Sequence, residues 1–315
     1  LPSIDPDAFG KDFPADIIEW KNQAEGMRRI FGAELDGIPQ PVAERAISPD
    51  CSLEEYRDNH PHVLTSYHDQ FHKVFISEGC PFRCTYCAEI QAFPPYRSFP
   101  LDRIVAQARA LVNETGQNKI GIHADCPGAY GEDTGGPSFS ELLDAIVGEV
   151  PEIRLALMNL HPAHWLDHFE TISRHLAAGS IFLLESPIQS ACDRVLALMG
   201  RHYTRSDLEK LFGSIRGIAD LETQTHVIAG FPTETADEFR ETVDFLVDNP
   251  PSWVLVSSFM ATSITPAYTM DGQVPREERR RRVLSACERL EPLGVYVNYD
   301  MNEGVQRRFD LPMFN

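Results

Sequence analysis

From residue 73 onward, short apolar runs alternate with longer stretches of helical periodicity, and this alternation limits the possible folds more than any other feature. The runs are KVFIS, KIGIHA, IRLALMN, SIFLLES, TQTHVIAG and WVLVSSFMA. Between them lie LDRIVAQARALVNE, SFSELLDAIVGEV, AHWLDHFETISRHLA, the pair SACDRVLALMG and SDLEKLFGSIRGIA, and TADEFRETVDFLVDN. Apolar runs bounded by turn residues read as strands, and the intervening amphipathic stretches as crossover helices, so the pattern predicts parallel α/β architecture. The strand and helix count favours a partial (β/α)6 barrel of TIM type over an open sheet. In either arrangement ligands collect at the carboxyl ends of the strands. We expect the barrel over residues 73–285, an N-terminal extension over 1–72 with one amphipathic helix at DIIEWKNQAEGMRRIFGAEL, and a C-terminal segment over 286–315 packing on the barrel. The run REERRRR at 276–282 reads as a solvated helix face.

Charge narrows the partners. The 315 residues carry 28 Lys and Arg against 47 Asp and Glu, a formal net charge of −19, which repels a phosphate backbone and argues against nucleic acid. No run approaches the roughly 18 apolar residues of a membrane span, and the first residues lack a basic-then-apolar signal pattern, so a soluble, cytoplasmic protein is expected. The 7 cysteines are odd in number and unevenly spaced, which speaks against a secreted disulfide scaffold. A reduced compartment with metal or redox use fits better.

Cys80, Cys84 and Cys87 lie in GCPFRCTYCAEI, just after the first strand, with spacing C-x3-C-x2-C. Three thiolates on one short loop can hold three irons of a [4Fe-4S] cube and leave the fourth iron open. A structural zinc site wants a fourth Cys or His, and none is close in sequence. This spacing, with Tyr86 before the last cysteine, resembles the signature of the radical S-adenosylmethionine (SAM) superfamily. From about 74 to 285 the chain is similar to the radical core of its methylthiotransferases. The similarity runs through RSFPLDRIVAQARALV, GAYGEDTGG, LHPAHW, SPIQSACDRVLALMGRHYTRSDL, HVIAGFPTETADEFRETVDFL and TPAYTMDGQVP. It implies a [4Fe-4S] cluster on Cys80, Cys84 and Cys87, and SAM chelated by the open iron and cleaved to a 5'-deoxyadenosyl radical. An electron donor such as flavodoxin or ferredoxin would supply the electron. Tyr86, Arg97, Glu185, Gln189, Ser190 and Gly230 become candidate SAM contacts. Ser190 also reads as a helix cap, and Gly230 with Pro232 as a turn.

The sequence departs from that family in informative ways. The relatives' N-terminal domain carries three further cysteines for an auxiliary cluster, whereas the first 79 residues here hold only Cys51. Their C-terminal RNA-binding barrel has no counterpart after the core, which points to a small-molecule substrate such as a sugar, nucleoside or natural-product intermediate. Cys126 and Cys192 fall at strand ends where the family usually has asparagine and serine. With Cys51 they are candidate ligands of an auxiliary iron-sulfur cluster acting as sulfur donor, the alternative being small buried core residues. The leading expectation is therefore sulfur insertion into a small molecule. The other is an epimerase or dehydrogenase of a sugar-like substrate, in which Cys126 or Cys192 returns a hydrogen atom. His123, His161 and His226, with Asp125, Tyr130 and Tyr203, are further candidates near strand ends, and Cys287 reads as core.

Overall fold

The structure, a computed structural model, describes residues 71–88 and 95–300; Cys51 and the expected N-terminal amphipathic helix lie outside the described residues. The strands are β1 (His72–Phe75), β2 (Ser77–Glu78), β3 (Arg97–Ser98), β4 (Lys119–His123), β5 (Arg154–Leu157), β6 (Ile181–Glu185), β7 (Glu222–Ala229), β8 (Trp253–Ser258) and β9 (Tyr296–Asp300). One sheet runs β1-β4-β5-β6-β7-β8-β9 with every neighbouring pair parallel, while β2 and β3 form a small antiparallel ribbon. All six expected strands are present. Because β1 and β9 are opposite edges, the barrel stays open.

The helices are α1 (Leu101–Thr115), α2 (Phe139–Glu149), α3 (Pro162–Asp167), α4 (Phe169–Ala177), α5 (Asp193–Met199), α6 (Arg205–Ile215), α7 (Ala236–Asp248) and α8 (Arg276–Leu290). Capping boxes start three of them: Ser138 with Glu141, Thr204 with Asp207, and Thr235 with Glu238. Alternate strand residues face opposite sides. Leu155 and Leu157 join the large core with Ile104, Leu142 and Leu211, whereas Ala156 and Met158 join Phe71, Phe182 and Leu183 in a smaller cluster on the other face.

Three local features differ from expectation. The sheet continues past residue 285, because β9 pairs with β8 in register from Trp253–Tyr296 to Ser257–Asp300. The helix expected after β5 breaks at His168, which leaves helical geometry (φ −105°, ψ 18°) while its ring bonds Gly128 O at 3.0 Å and Ser140 Oγ at 2.9 Å. Tertiary contacts thus outcompete one more helical turn. The arginine run is not solvated throughout: Arg282 is buried and pairs with Glu234 at 3.0 Å, and the Arg279 stem fills the space beside Gly230.

Candidate active site

The three-cysteine loop leaves β2 through Gly79, whose positive φ of 77° suits glycine and whose N–H donates to Asp125 Oδ2 at 2.9 Å. Cys87 N donates to Cys84 O at 3.1 Å, curling the second half of the loop into a turn. Thr85 anchors it: its N–H and Oγ1 donate to Met199 O (3.0 Å) and Leu198 O (2.8 Å) at the end of α5, and its carbonyl accepts from Ala267 N (2.9 Å). Phe82 stacks on His161 with ring centroids 3.9 Å apart.

A buried cation that the sequence reading missed completes the anchor. Arg201, immediately after α5 and Gly200, directs its guanidinium to Cys84 Sγ (3.7 Å), Tyr86 Oη (3.3 Å), Tyr203 Oη (2.8 Å) and Pro187 O (2.5 Å). Burial works against its charge, but Tyr203, Tyr86 and Cys84 hold its pKa above the ordinary arginine value. Tyr203 in turn donates to Ile188 O at 2.7 Å. One fork thus ties the cysteine loop to the segment following β6. In the sequence, Arg201 sits in GRHYT among polar residues and reads as surface.

The strand ends hold the remaining candidates. Three non-glycine residues there adopt left-handed backbone: Asn159 (φ 56°) after β5, Gln189 (φ 62°) after β6 and Thr233 (φ 66°) after β7. Such residues cost of order 1–3 kcal/mol each and cluster at functional sites. Gln189 is fixed by its backbone, donating to His226 O (2.8 Å) and accepting from Ile228 N (2.9 Å). Glu185 is buried, 2.8 Å from His226 Nε2, and accepts from Asn159 N at 3.2 Å. Phe231 and Phe259 form a buried apolar cluster with Met199 and Ala267, and the partly buried Tyr86 and Ile228 pack against it.

Three candidates have other partners. Ser190 is fully buried, its hydroxyl 3.2 Å from Thr242 Oγ1 and accepting from Cys192 N at 3.2 Å, so it supports the start of α5 rather than facing the mouth. A Cβ on Gly230 would lie 2.4 Å from Arg279 Cγ, so here glycine admits an arginine stem rather than a ring. Arg97 is exposed and bonded to Glu78 across the β2–β3 ribbon at 2.8 Å.

The two remaining barrel cysteines have different neighbours. Cys126 is buried with its thiol 3.6 Å from His164 Nδ1. Interaction with the Cys126 thiol lowers the Cys80 pKa, and the same interaction together with burial raises that of Cys126. Cys192 precedes α5, its thiol 3.7 Å from Glu238 Oε1 and packed beside Val195, Met199 and Phe231. Cys126 thus has His164 as its neighbour and Cys192 lies in the wall beneath α7, while Cys51, the third member of the expected trio, lies outside the described residues.

The donor set suits an iron-sulfur cube. Three thiols share one pinned loop, and the Arg201 cation stands against Cys84, where it offsets the negative charge of thiolate ligation. Among the described residues no three His, Cys, Asp or Glu side chains converge as on a single ion. A cube instead distributes its thiolates over separate irons.

Residues 74–246 match the radical SAM superfamily. Threonylcarbamoyladenosine tRNA methylthiotransferase of Drosophila melanogaster is 32% identical over 227 residues, covering 70% of this chain and 40% of that protein. tRNA-2-methylthio-N(6)-dimethylallyladenosine synthase of Chloroflexus aurantiacus is 32% identical over 286 residues, covering 84% and 59%. The chain thus spans only part of the length of these relatives. Among solved structures, the radical S-adenosylmethionine methyltransferase TsrM of Kitasatospora setae, with cobalamin and a [4Fe-4S] cluster bound, superposes with a TM-score of 0.53 at 20% identity, covering 63% of this chain and 38% of that one. That likeness supports the fold, and the match over more than half the chain, centred on a pinned three-cysteine loop at the carboxyl edge of a parallel barrel, makes this protein a member of the radical SAM superfamily.

Proposed function

We propose that the chain binds a [4Fe-4S] cluster through Cys80, Cys84 and Cys87, binds SAM beside it, and forms a carbon–sulfur bond on a small-molecule substrate. The observation that carries the reading is the cysteine loop clamped by Arg201 to the strand-end segment bearing Gln189. Bound there, the cluster and SAM would supply the radical chemistry that activates a substrate C–H bond. Tyr86 and Ile228, backed by the buried Phe231 and Phe259, would offer the adenine an apolar surface. Gln189 presents its amide from a constrained backbone, and Glu185 with His226 makes a buried acid–imidazole pair for polar groups of SAM or substrate. Carbon–sulfur chemistry rests on the methylthiotransferase relatives, which carry it out on transfer RNA by their names.

A second reading is favoured by the position of Cys126. The Cys126 thiol lies 3.6 Å from His164 Nδ1 and the Cys192 thiol 3.7 Å from Glu238 Oε1, and these different neighbours favour a hydrogen-returning Cys126 over a cluster shared with Cys192. That reading describes an epimerase or dehydrogenase of a sugar-like substrate. The test is anaerobic reconstitution with iron, sulfide, SAM and a strong reductant. Reductant-dependent 5'-deoxyadenosine is expected from the wild type and none from Cys84→Ala. Iron separates the two readings: about eight per chain supports an auxiliary sulfur-donor cluster, and about four rejects it. Cleavage retained by Cys84→Ala would refute the cluster assignment.

A further inference from the structure

His161 caps α3, and the way it does so leaves one of its own polar groups without a use inside the protein. In LHPAHW, Pro162 takes the first helical position and the His161 ring accepts from Ala163 N at 3.2 Å through Nδ1. A backbone N–H can only donate, so Nδ1 carries a lone pair and the proton of the neutral ring sits on Nε2. His161 is 5% exposed, and its Nε2 is buried with no hydrogen-bond partner among the described residues. Burial, reinforced by the nearby Arg201 cation, pushes the His161 pKa below the ordinary histidine value, in agreement with the neutral form. Serine or aspartate would cap the helix equally well and leave no spare buried donor, a group whose loss of water costs stability until an acceptor meets it.

The surroundings of the ring narrow what that acceptor can be. One face stacks on Phe82 with 3.9 Å between centroids and 18° between planes, and Phe82 lies midway between Cys80 and Cys84 in the loop. Tyr203 meets the ring edge-on at 5.5 Å, but its Oη already accepts from Arg201 Nε and donates to Ile188 O. His164, 6.0 Å away between centroids, directs Nδ1 to Cys126 Sγ and Nε2 to Glu132 Oε1. Arg201 itself offers donors only. Carbon, committed polar atoms and a cation thus surround the ring, and the acceptor it lacks is one that arrives with what the cysteine loop binds.

We propose that the Nε2–H of His161 donates a hydrogen bond to a sulfur of the iron-sulfur cluster held by Cys80, Cys84 and Cys87, and so raises its reduction potential. The inference rests on the cluster assignment of the proposed function. Reduction places one more electron on the cluster, and a hydrogen bond to sulfur stabilises the more negative, reduced form more than the oxidised one. The donor therefore eases electron transfer from a flavodoxin- or ferredoxin-class carrier. No proton is transferred, and the ring is unchanged by the cycle. The Arg201 cation beside Cys84 acts in the same sense.

Two substitutions isolate the donor. His161→Phe keeps a ring against Phe82 without an N–H, whereas His161→Gln supplies an amide N–H with a reach close to that of Nε2, and both lose the bond from Ala163 N alike. The reconstituted proteins, without SAM, are titrated through a series of redox mediators while cluster reduction is followed by electron paramagnetic resonance. His161→Phe should shift the reduction equilibrium about tenfold toward the oxidised form, about 59 mV for a one-electron couple, and His161→Gln should recover most of that shift. In protein made with isotopically labelled histidine, pulsed resonance of the reduced cluster should show an imidazole-nitrogen coupling that both variants lack. A shift below about twofold in His161→Phe, an equal shift in the two variants, or a nitrogen coupling missing from the wild type or surviving in either variant overturns this inference while leaving the cluster in place. Should His161→Phe fail to fold, the coupling in the wild type and its fate in His161→Gln still decide. Failure of the wild type to assemble a reducible cluster overturns the assignment beneath it.

Discussion

Arg201 illustrates how one residue can join two parts of a site. Its guanidinium meets groups from the cysteine loop, from the segment after β6 and from Tyr203, and a rigid planar fork suits that task better than a lysine. Arg201→Met removes the donor serving Pro187 O and the cation beside Cys84. The expected loss is about 2 to 4 kcal/mol of stability in urea unfolding of the cluster-free protein, with Arg201→Lys intermediate. A change below about 0.5 kcal/mol would mean that the fork is not what anchors the loop. Gly128→Ala should cost about 1 to 3 kcal/mol by the same measurement, because its methyl group meets the His164 ring. The three loop cysteines were legible because their spacing is local. Arg201 and His164 were not, since their meaning comes from partners 117 and 38 residues away in sequence. Ser190 carried two readings in the sequence; α5 takes Cys192 as its N-cap with no side-chain cap, and the Ser190 hydroxyl instead lies 3.2 Å from Thr242 Oγ1 and accepts from Cys192 N.

Among the elements, α8 does more than cover the barrel. Arg282 on its inner face meets Glu234, whose Oε2 also accepts from Gly230 N at 2.6 Å, so the helix holds the turn that ends β7. Burial raises the Glu234 pKa from 4.5 to about 7, against the opposing pull of the Gly230 N–H and Arg282. The sign follows from proton binding. Between pH 4.5 and about 7 the folded state holds more protons on Glu234 than the unfolded chain, so its contribution to stability is full below 4.5 and falls as pH rises through 7. Relative to Glu234→Gln, the wild type should therefore lose up to about 3 kcal/mol across that interval, measured by chemical unfolding at fixed pH steps. A difference that stays flat, or grows with pH, would show that the Arg282 attraction outweighs burial. The six earlier strands were readable because apolar and β-branched residues run together in each. The strand β9 was not: in YVNYD, Val297 joins the main core while Asn298 is buried and polar, so the pattern resembles a tail until β8 supplies its partner. Similarly, REERRRR has the composition of a solvated face, and only the buried carboxyl of Glu234 explains why Arg282 turns inward.

At the scale of the molecule, net charge bears on whether this chain meets the kind of substrate that its relatives' names describe. Those relatives act on transfer RNA, a polyanion whose association with protein is largely driven by release of counterions from phosphates met by Lys and Arg. With 47 acidic against 28 basic residues, the long-range field here opposes that encounter, and it opposes it more strongly as salt is lowered. Binding of labelled transfer RNA, followed by fluorescence anisotropy, should accordingly remain weaker than about 10 μM at about 150 mM salt, with no steep gain at lower salt. Saturable binding in the low micromolar range, tightening steeply as salt falls, would mean that a local basic surface overrides the net charge, and the small-molecule reading would then give way to a nucleic-acid substrate. The same measurement on Arg201→Met adds a control. That guanidinium is buried among protein groups, so removing it should leave any weak RNA binding unchanged while it loosens the cysteine loop.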